Sequence, residues 1–251
     1  MQGKYILEIA MDISSLMLEC GAEIYRIEDS INRICKAYGA ERVDVFAIPS
    51  SIIATIYIKD ENAVTLSRRI YFKDTNLDRV DHLNNLSRYI CNNIPDYAYV
   101  NELINVISTR KQYKKIYIVL THAIVPAIFC LFFNGTIVEA IFSMISGIII
   151  YYILKLLNYL NANILFTNII CGGIGALVAV IIYKFGLVQN YDKMIIGSIM
   201  LLVPGLILTT SMRDFMLGDI VAGMLRLIEA LMIATGIAIG VAIVLSLFGL
   251  Y

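Results

Sequence analysis

Apolar positions recur at helical spacing early in the chain, alternate in pairs in the middle, and run almost unbroken in the second half. Ile6, Ile9, Ile13, Leu16 and Met17 mark a first helix over about 5–20, which Gly21 ends. Ile24, Ile27, Ile31, Ile34 and Tyr38 mark a second over about 22–38, with Gly39 placed as its C-terminal cap. The period then changes to two. Arg42–Ile48 and Ile52–Ile58 read as strands around a Pro49-Ser50-Ser51 turn, and Val64, Leu66, Arg68, Ile70 and Phe72 read as a third. Helical spacing returns over 76–94, is stopped by Pro95, and resumes briefly over 96–108.

Beyond residue 113 the apolar runs approach the roughly 20 residues needed to cross a bilayer. Five spans are expected, at about 116–133, 137–154, 164–183, 194–210 and 220–248. The fold class predicted is therefore an α+β domain over 1–112, an antiparallel sheet covered by helices, followed by an all-α transmembrane domain of five helices over 113–251. Lys111, Lys114, Lys115, Lys155, Arg213 and Arg226 fall on one side of that arrangement, and Lys184 and Lys193 on the other. The bias toward positive cytoplasmic loops then puts the N-terminus inside, and an odd count puts Tyr251 outside.

Composition sharpens this division. The chain is 59% hydrophobic with a mean hydropathy of +0.76, and most of its charge precedes Lys115. The formal net charge of zero gives no reason to expect a nucleic-acid partner. Glu8 and Asp12 interrupt the first apolar stretch, so it is not expected to be a signal peptide. Cys20, Cys35, Cys91, Cys130 and Cys171 are scattered and form no CxxC pair, which suggests buried reduced thiols rather than disulfides or a metal site. No cofactor is expected: no GxxxxGK[ST] stretch is present for a nucleotide.

Candidate chemistry concentrates in 200–230. Pro204 removes a backbone donor and Gly205 relaxes the dihedrals, so the helix there should kink or break. Thr209, Thr210, Ser211, Arg213, Asp214, Asp219, Arg226 and Glu229 follow within 25 residues. A broken helix beside hydroxyls and charges suits a solute site in a membrane protein, and it also suits a kink followed by an ordinary loop. Arg226 and Glu229 are spaced to pair on one helix face, and Gly236 and Gly240 form a GxxxG contact surface. Glu23, Tyr25, Arg26, Glu28 and Asp29 make a second cluster, readable as a functional face or as a solvated helix face, with Asp29 and Arg33 as an i,i+4 pair. His82, His122, Ser50 and Ser51 form no recognisable catalytic arrangement. A membrane-anchored enzyme with a hydrolytic N-terminal domain, or a scaffold, remains the alternative to a transporter.

Three stretches carry a resemblance. Gly21–Ala40 (GAEIYRIEDSINRICKAYGA), Asn76–Ile90 and Leu201–Gly240 resemble, in order, blocks of the threonine/serine exporter family. The resemblance implies secondary export of small hydrophilic metabolites across the bacterial inner membrane: threonine- or serine-type amino acids, or a dicarboxylate such as succinate. It also implies a large subunit that works with a small membrane-only subunit of the same family, or as a homo-oligomer, in contact with membrane lipid. Two five-span halves would be inverted repeats, with Pro204 and Gly205 in one half of the shared site. Thr209, Thr210 and Ser211 would then offer hydroxyls and Arg213 or Arg226 would attract a carboxylate. Asp214, Asp219 or Glu229 would carry a proton or hold an amino group.

Overall fold

The computed structural model describes residues 2–71, 75–110 and 113–250. Phe72 of the expected third strand, Lys111 and Gln112 at the expected domain boundary, and the C-terminal Tyr251 lie outside the described residues. The chain divides into two compact units. The first joins Met1–Lys111 to Thr209–Arg226, and the second joins Gln112–Leu208 to Leu227–Tyr251.

In the first unit, α1 (Gln2–Glu19) is apolar on nearly every side and is the central element: Leu7, Ala10, Met11, Ile13 and Met17 have no exposed surface. Gly21, at φ +89°, ends it in a left-handed turn closed by the Ala22 N–H on the Met17 carbonyl at 3.0 Å. Helix α2 (Ile24–Ala37) buries Ile24, Ile27, Ile31 and Ile34, each worth roughly 1.5–3 kcal/mol of transfer free energy. Gly39, at φ +95°, caps it as its spacing predicts. Strands β1 (Arg42–Ile48), β2 (Ser51–Tyr57) and β3 (Val64–Arg69) form an antiparallel sheet in chain order, with Ile48 opposite Ser51 across the hairpin turn. Ile52, Ala54 and Ile56 of the central strand are buried, while Phe46, Ile53 and Tyr57 stay exposed on the other face. Asp12 of α1 accepts from Arg68 of β3 at 2.6 Å. Helix α3 (Leu77–Asn93) is capped by Asn76, whose side chain accepts from the Arg79 N–H at 3.0 Å. It ends at Ile94 in a left-handed conformation, ahead of Pro95. Helix α4 (Tyr97–Ser108) follows.

The second unit is helical. It contains α5 (Lys115–Phe132), α6 (Ile137–Tyr159), α7 (Ile164–Lys184), α8 (Tyr191–Ile199), the first turn of α9 (Gly205–Leu217) and most of α10 (Ile220–Leu247). Glycines let the backbones approach closely: Gly147 of α6 lies against the His122 carbonyl, and Gly240 of α10 against the Ile169 carbonyl. Gly236 meets Leu165 and Asn168, so both glycines of the GxxxG pair are contact residues. At the start of α6, Thr136 and Glu139 form a reciprocal capping box. The fully buried Glu139 also accepts from the backbone and side chain of Asn190 at 2.9 and 3.1 Å.

The expected fold class needs correction. Among the described residues, four helices are long and apolar enough to span a membrane: Lys115–Phe132, Ile137–Tyr159, Ile164–Lys184 and Ile220–Leu247. The expected fourth span, 194–210, is two short helices. Pro204 cannot continue α8, which stops at Ile199, and α9 starts at Gly205. The nine residues of α8 rise about 14 Å, half of a hydrocarbon core roughly 30 Å thick. The break is closed locally: the Leu202 and Val203 N–H groups both donate to the Ile199 carbonyl, at 2.8 and 3.2 Å. The five-helix architecture falls with this segment, and with it the odd count that placed the C-terminus outside and made two halves inverted repeats. Nor does the first unit end where the second begins, because Thr209–Arg226 belongs to it. Lys155 lies within α6, which continues to Tyr159 rather than stopping at Leu154.

Candidate functional site

The charged residues of the two candidate clusters come together in the first unit. Their scaffold is the turn between α1 and α2, the C-terminal part of α9, and the first turns of α10. Asp214 sits inside α9, not in a loop, and is 0% exposed. Arg226, two turns into α10 and also buried, places Nε 3.4 Å from Asp214 Oδ2 and donates from Nη2 to the Ala22 carbonyl at 2.9 Å. Arg226 thus reaches α9 and the carbonyl that the Gly21 turn presents, two partners that the i,i+3 spacing to Glu229 does not reveal.

Around this pair lies a second, more exposed network. Glu23, at the N-cap of α2, accepts from Arg213 Nη1 at 2.5 Å and from Arg26 Nε at 2.8 Å. Both guanidiniums lie over the Tyr25 ring, 5.6 Å away for Arg26 and 5.8 Å for Arg213, and Arg26 also donates to the Tyr25 hydroxyl. Burial raises the Glu23 carboxyl, but its own backbone N–H and the two arginines outweigh this and hold it below the usual range. Glu28 accepts from the Ala47 N–H at 3.0 Å. Burial pushes its carboxyl up, and the nearby charge of Asp219 adds to the rise. Asp219 itself precedes α10, and its N–H closes the end of α9 on the Asp214 carbonyl oxygen at 2.9 Å.

Asp214 differs from the other acids. Among the described residues, neither of its buried carboxylate oxygens accepts a hydrogen bond. Desolvation drives its carboxyl upward from 3.8. Asp219 and Glu23 reinforce the rise, and Arg226 and Arg213 oppose it. Ser211, one turn before Asp214, spends its hydroxyl on the Gly223 carbonyl at 2.9 Å.

Asp29 faces outward and forms the expected pair with Arg33 at 2.8 Å. Thr209 is exposed and Thr210 half-buried on α9. Pro204, Gly205 and Glu229 belong to the second unit. Pro204 is buried, and Gly205 is exposed with open space where a Cβ would go. His82 lies with Asp78 and Arg110, and His122 bonds the Ile118 carbonyl at 2.8 Å. Sequence reasoning missed the Ala22 carbonyl and the Ala47 N–H, because backbone groups leave no residue-type signal. Gly21 was the one clue that the first turn would be sharp.

Residues 8–248 match the family described as "Putative threonine/serine exporter". The chain belongs to this family. It is a membrane protein of a transporter family, as the four long apolar helices among its described residues also indicate. A "Probable threonine/serine exporter" of Mycobacterium tuberculosis is 22% identical over 95% of this chain, which spans only 45% of that relative's length. A "Probable succinate transporter subunit YjjP" of Klebsiella aerogenes is 23% identical over 98% of this chain and 95% of its own. The protein of the same description from Escherichia coli is 22% identical over 99% and 97%. No solved structure matches the chain.

Proposed function

We propose that this chain is one subunit of a secondary exporter that moves small hydrophilic metabolites bearing a carboxylate out of the bacterial cytoplasm. The substrate class is serine- or threonine-type amino acids or a dicarboxylate such as succinate. The observation that carries this reading is the buried Asp214–Arg226 pair at the start of an apolar helix, in a chain that matches an exporter family over 8–248. A charge in that setting is costly and is kept where it binds a solute or an ion. Arg226 and Arg213 supply cationic forks for a carboxylate, and Asp214, Asp219 and Glu229 supply groups for a proton or an ammonium. Thr209, Thr210 and Ser211 lie on the same helix as Asp214, which Pro204 and Gly205 begin.

The working partner in this reading is a small membrane-only subunit of the same family, as the "subunit" in the names of two relatives suggests. The first unit faces the cytoplasm, supported by Lys114 and Lys115 at the start of the first candidate span. The chain carries no catalysis of its own. Transport is tested in cells preloaded with labelled serine, threonine or succinate. Expressing this chain with its partner should speed loss of one label, and Asp214→Asn should abolish the gain. Equal loss with and without the proteins, both present in the membrane, would refute the reading.

A further inference from the structure

Asp214 has lost its water without gaining hydrogen bonds. Its carboxylate is 0% exposed, and neither oxygen accepts a bond among the described residues. Its ionised form therefore rests on Coulomb attraction, chiefly from Arg226 at 3.4 Å. Isolated buried carboxylates escape this cost by taking a proton. The charged groups facing it are few. Arg226 comes from α10, Arg213 and Asp219 from α9 and the turn after it, and Glu23 from the start of α2. Arg213 is engaged at 2.5 Å by Glu23, which Arg26 also holds. The outer arginines thus neutralise Glu23, and the inner arginine is left to Asp214.

Arg226 is built to change partners. Nη2 anchors on the Ala22 carbonyl, which fixes the plane of the guanidinium, while the contact from Nε to Asp214 is long and lacks hydrogen-bond geometry. A planar fork presented to so loose a partner would be taken by a carboxylate that could approach in plane. Once Asp214 is protonated it no longer competes.

Resting on the exporter reading above, we infer that Asp214 and Arg226 form an exchange pair: ionised Asp214 occupies Arg226, and protonated Asp214 yields Arg226 to the carboxylate of the solute. Binding a carboxylate then requires binding a proton at Asp214, and releasing the proton expels the solute. No covalent bond changes. The proton comes from the solvent and returns to it. The chemistry recognised is a carboxylate, whether on an amino acid or a dicarboxylate.

The test is calorimetric titration of the purified full chain, with its small membrane partner, in two buffers of different ionisation enthalpy at pH 7.5. Succinate and serine are the probes. The wild-type protein should take up about one proton for each solute bound, as linkage requires. Asp214→Asn should bind without proton uptake, and Arg226→Lys should weaken binding about tenfold or more, within the range usual for such coupling. Binding of either probe with no proton uptake would overturn the exchange pair while leaving the exporter reading intact. So would uptake that persists in Asp214→Asn. If Asp214→Asn does not fold, proton uptake by the wild type decides alone. A folded wild-type complex that binds neither probe would overturn the exporter reading and this pair together.

Discussion

Replacing Gly240 by alanine adds one methyl group at a close helix contact of the second unit. An ideal Cβ there would sit 2.1 Å from the Ile169 carbonyl oxygen and 2.7 Å from the Gly173 nitrogen. Ordinary contact begins near 3.4 Å, so the shortfall is about 1.3 Å. The obstacles are backbone atoms of α7 and cannot rotate aside. The helices must part instead, and the neighbouring contacts of Gly172 with Ile237 and of Gly236 with Leu165 loosen with them. Overpacking of this kind costs about 1–3 kcal/mol. Gly205→Ala is the matched control, since nothing lies within 4 Å of its Cβ and its φ is not left-handed. There the loss of unfolded-state freedom should stabilise by about 0.4–1 kcal/mol. The chain has no tryptophan, so the assay is the uptake of a thiol-reactive dye on heating in detergent, checked by circular dichroism. Cys130 and Cys171 are fully buried reporters in the second unit. Gly240→Ala should melt earlier than wild type and Gly205→Ala should not. Equal melting of Gly240→Ala and wild type would refute the close-contact argument.

Buried charged groups give three further predictions. Arg226→Met strands the buried Asp214 and should destabilise by about 3–5 kcal/mol, while Asp214→Asn combined with Arg226→Met should recover most of it in denaturant melts. Because the folded-state carboxyl of Asp214 is raised above 3.8, its contribution to stability is full at low pH and is lost as pH rises through the folded value. Asp214→Asn should therefore flatten that part of the stability-versus-pH curve. Glu139→Ala removes the α6 capping box and the acceptor for both Asn190 donors, and should lower stability by about 2 kcal/mol or more, with Glu139→Gln less harmful.

Much of the architecture was legible from periodicity. The hairpin, α2 with its glycine cap, and the pro-stopped α3 fall within a residue or two of their apolar patterns, because each buries one clear face. The fourth span was misread for a physical reason. Hydropathy sums across Pro204 as if the helix continued, whereas the missing N–H and the ring end it five residues earlier, at Ile199. The residues of the site were visible as a run of charges, but their pairing was not. Spacing along α10 speaks only of Glu229, whereas the fold brings Arg226 to Asp214 and to Ala22, 204 positions away in the chain. The Asp29–Arg33 pair was readable because it is local to one helix.

The most direct measurement is efflux from proteoliposomes preloaded with labelled serine, threonine or succinate, containing this chain with and without its small membrane partner. The account predicts release of one label when both proteins are present, speeded by an outward-directed proton gradient because solute and proton leave together. Two folded proteins that release none of the three above the rate of empty liposomes would contradict it.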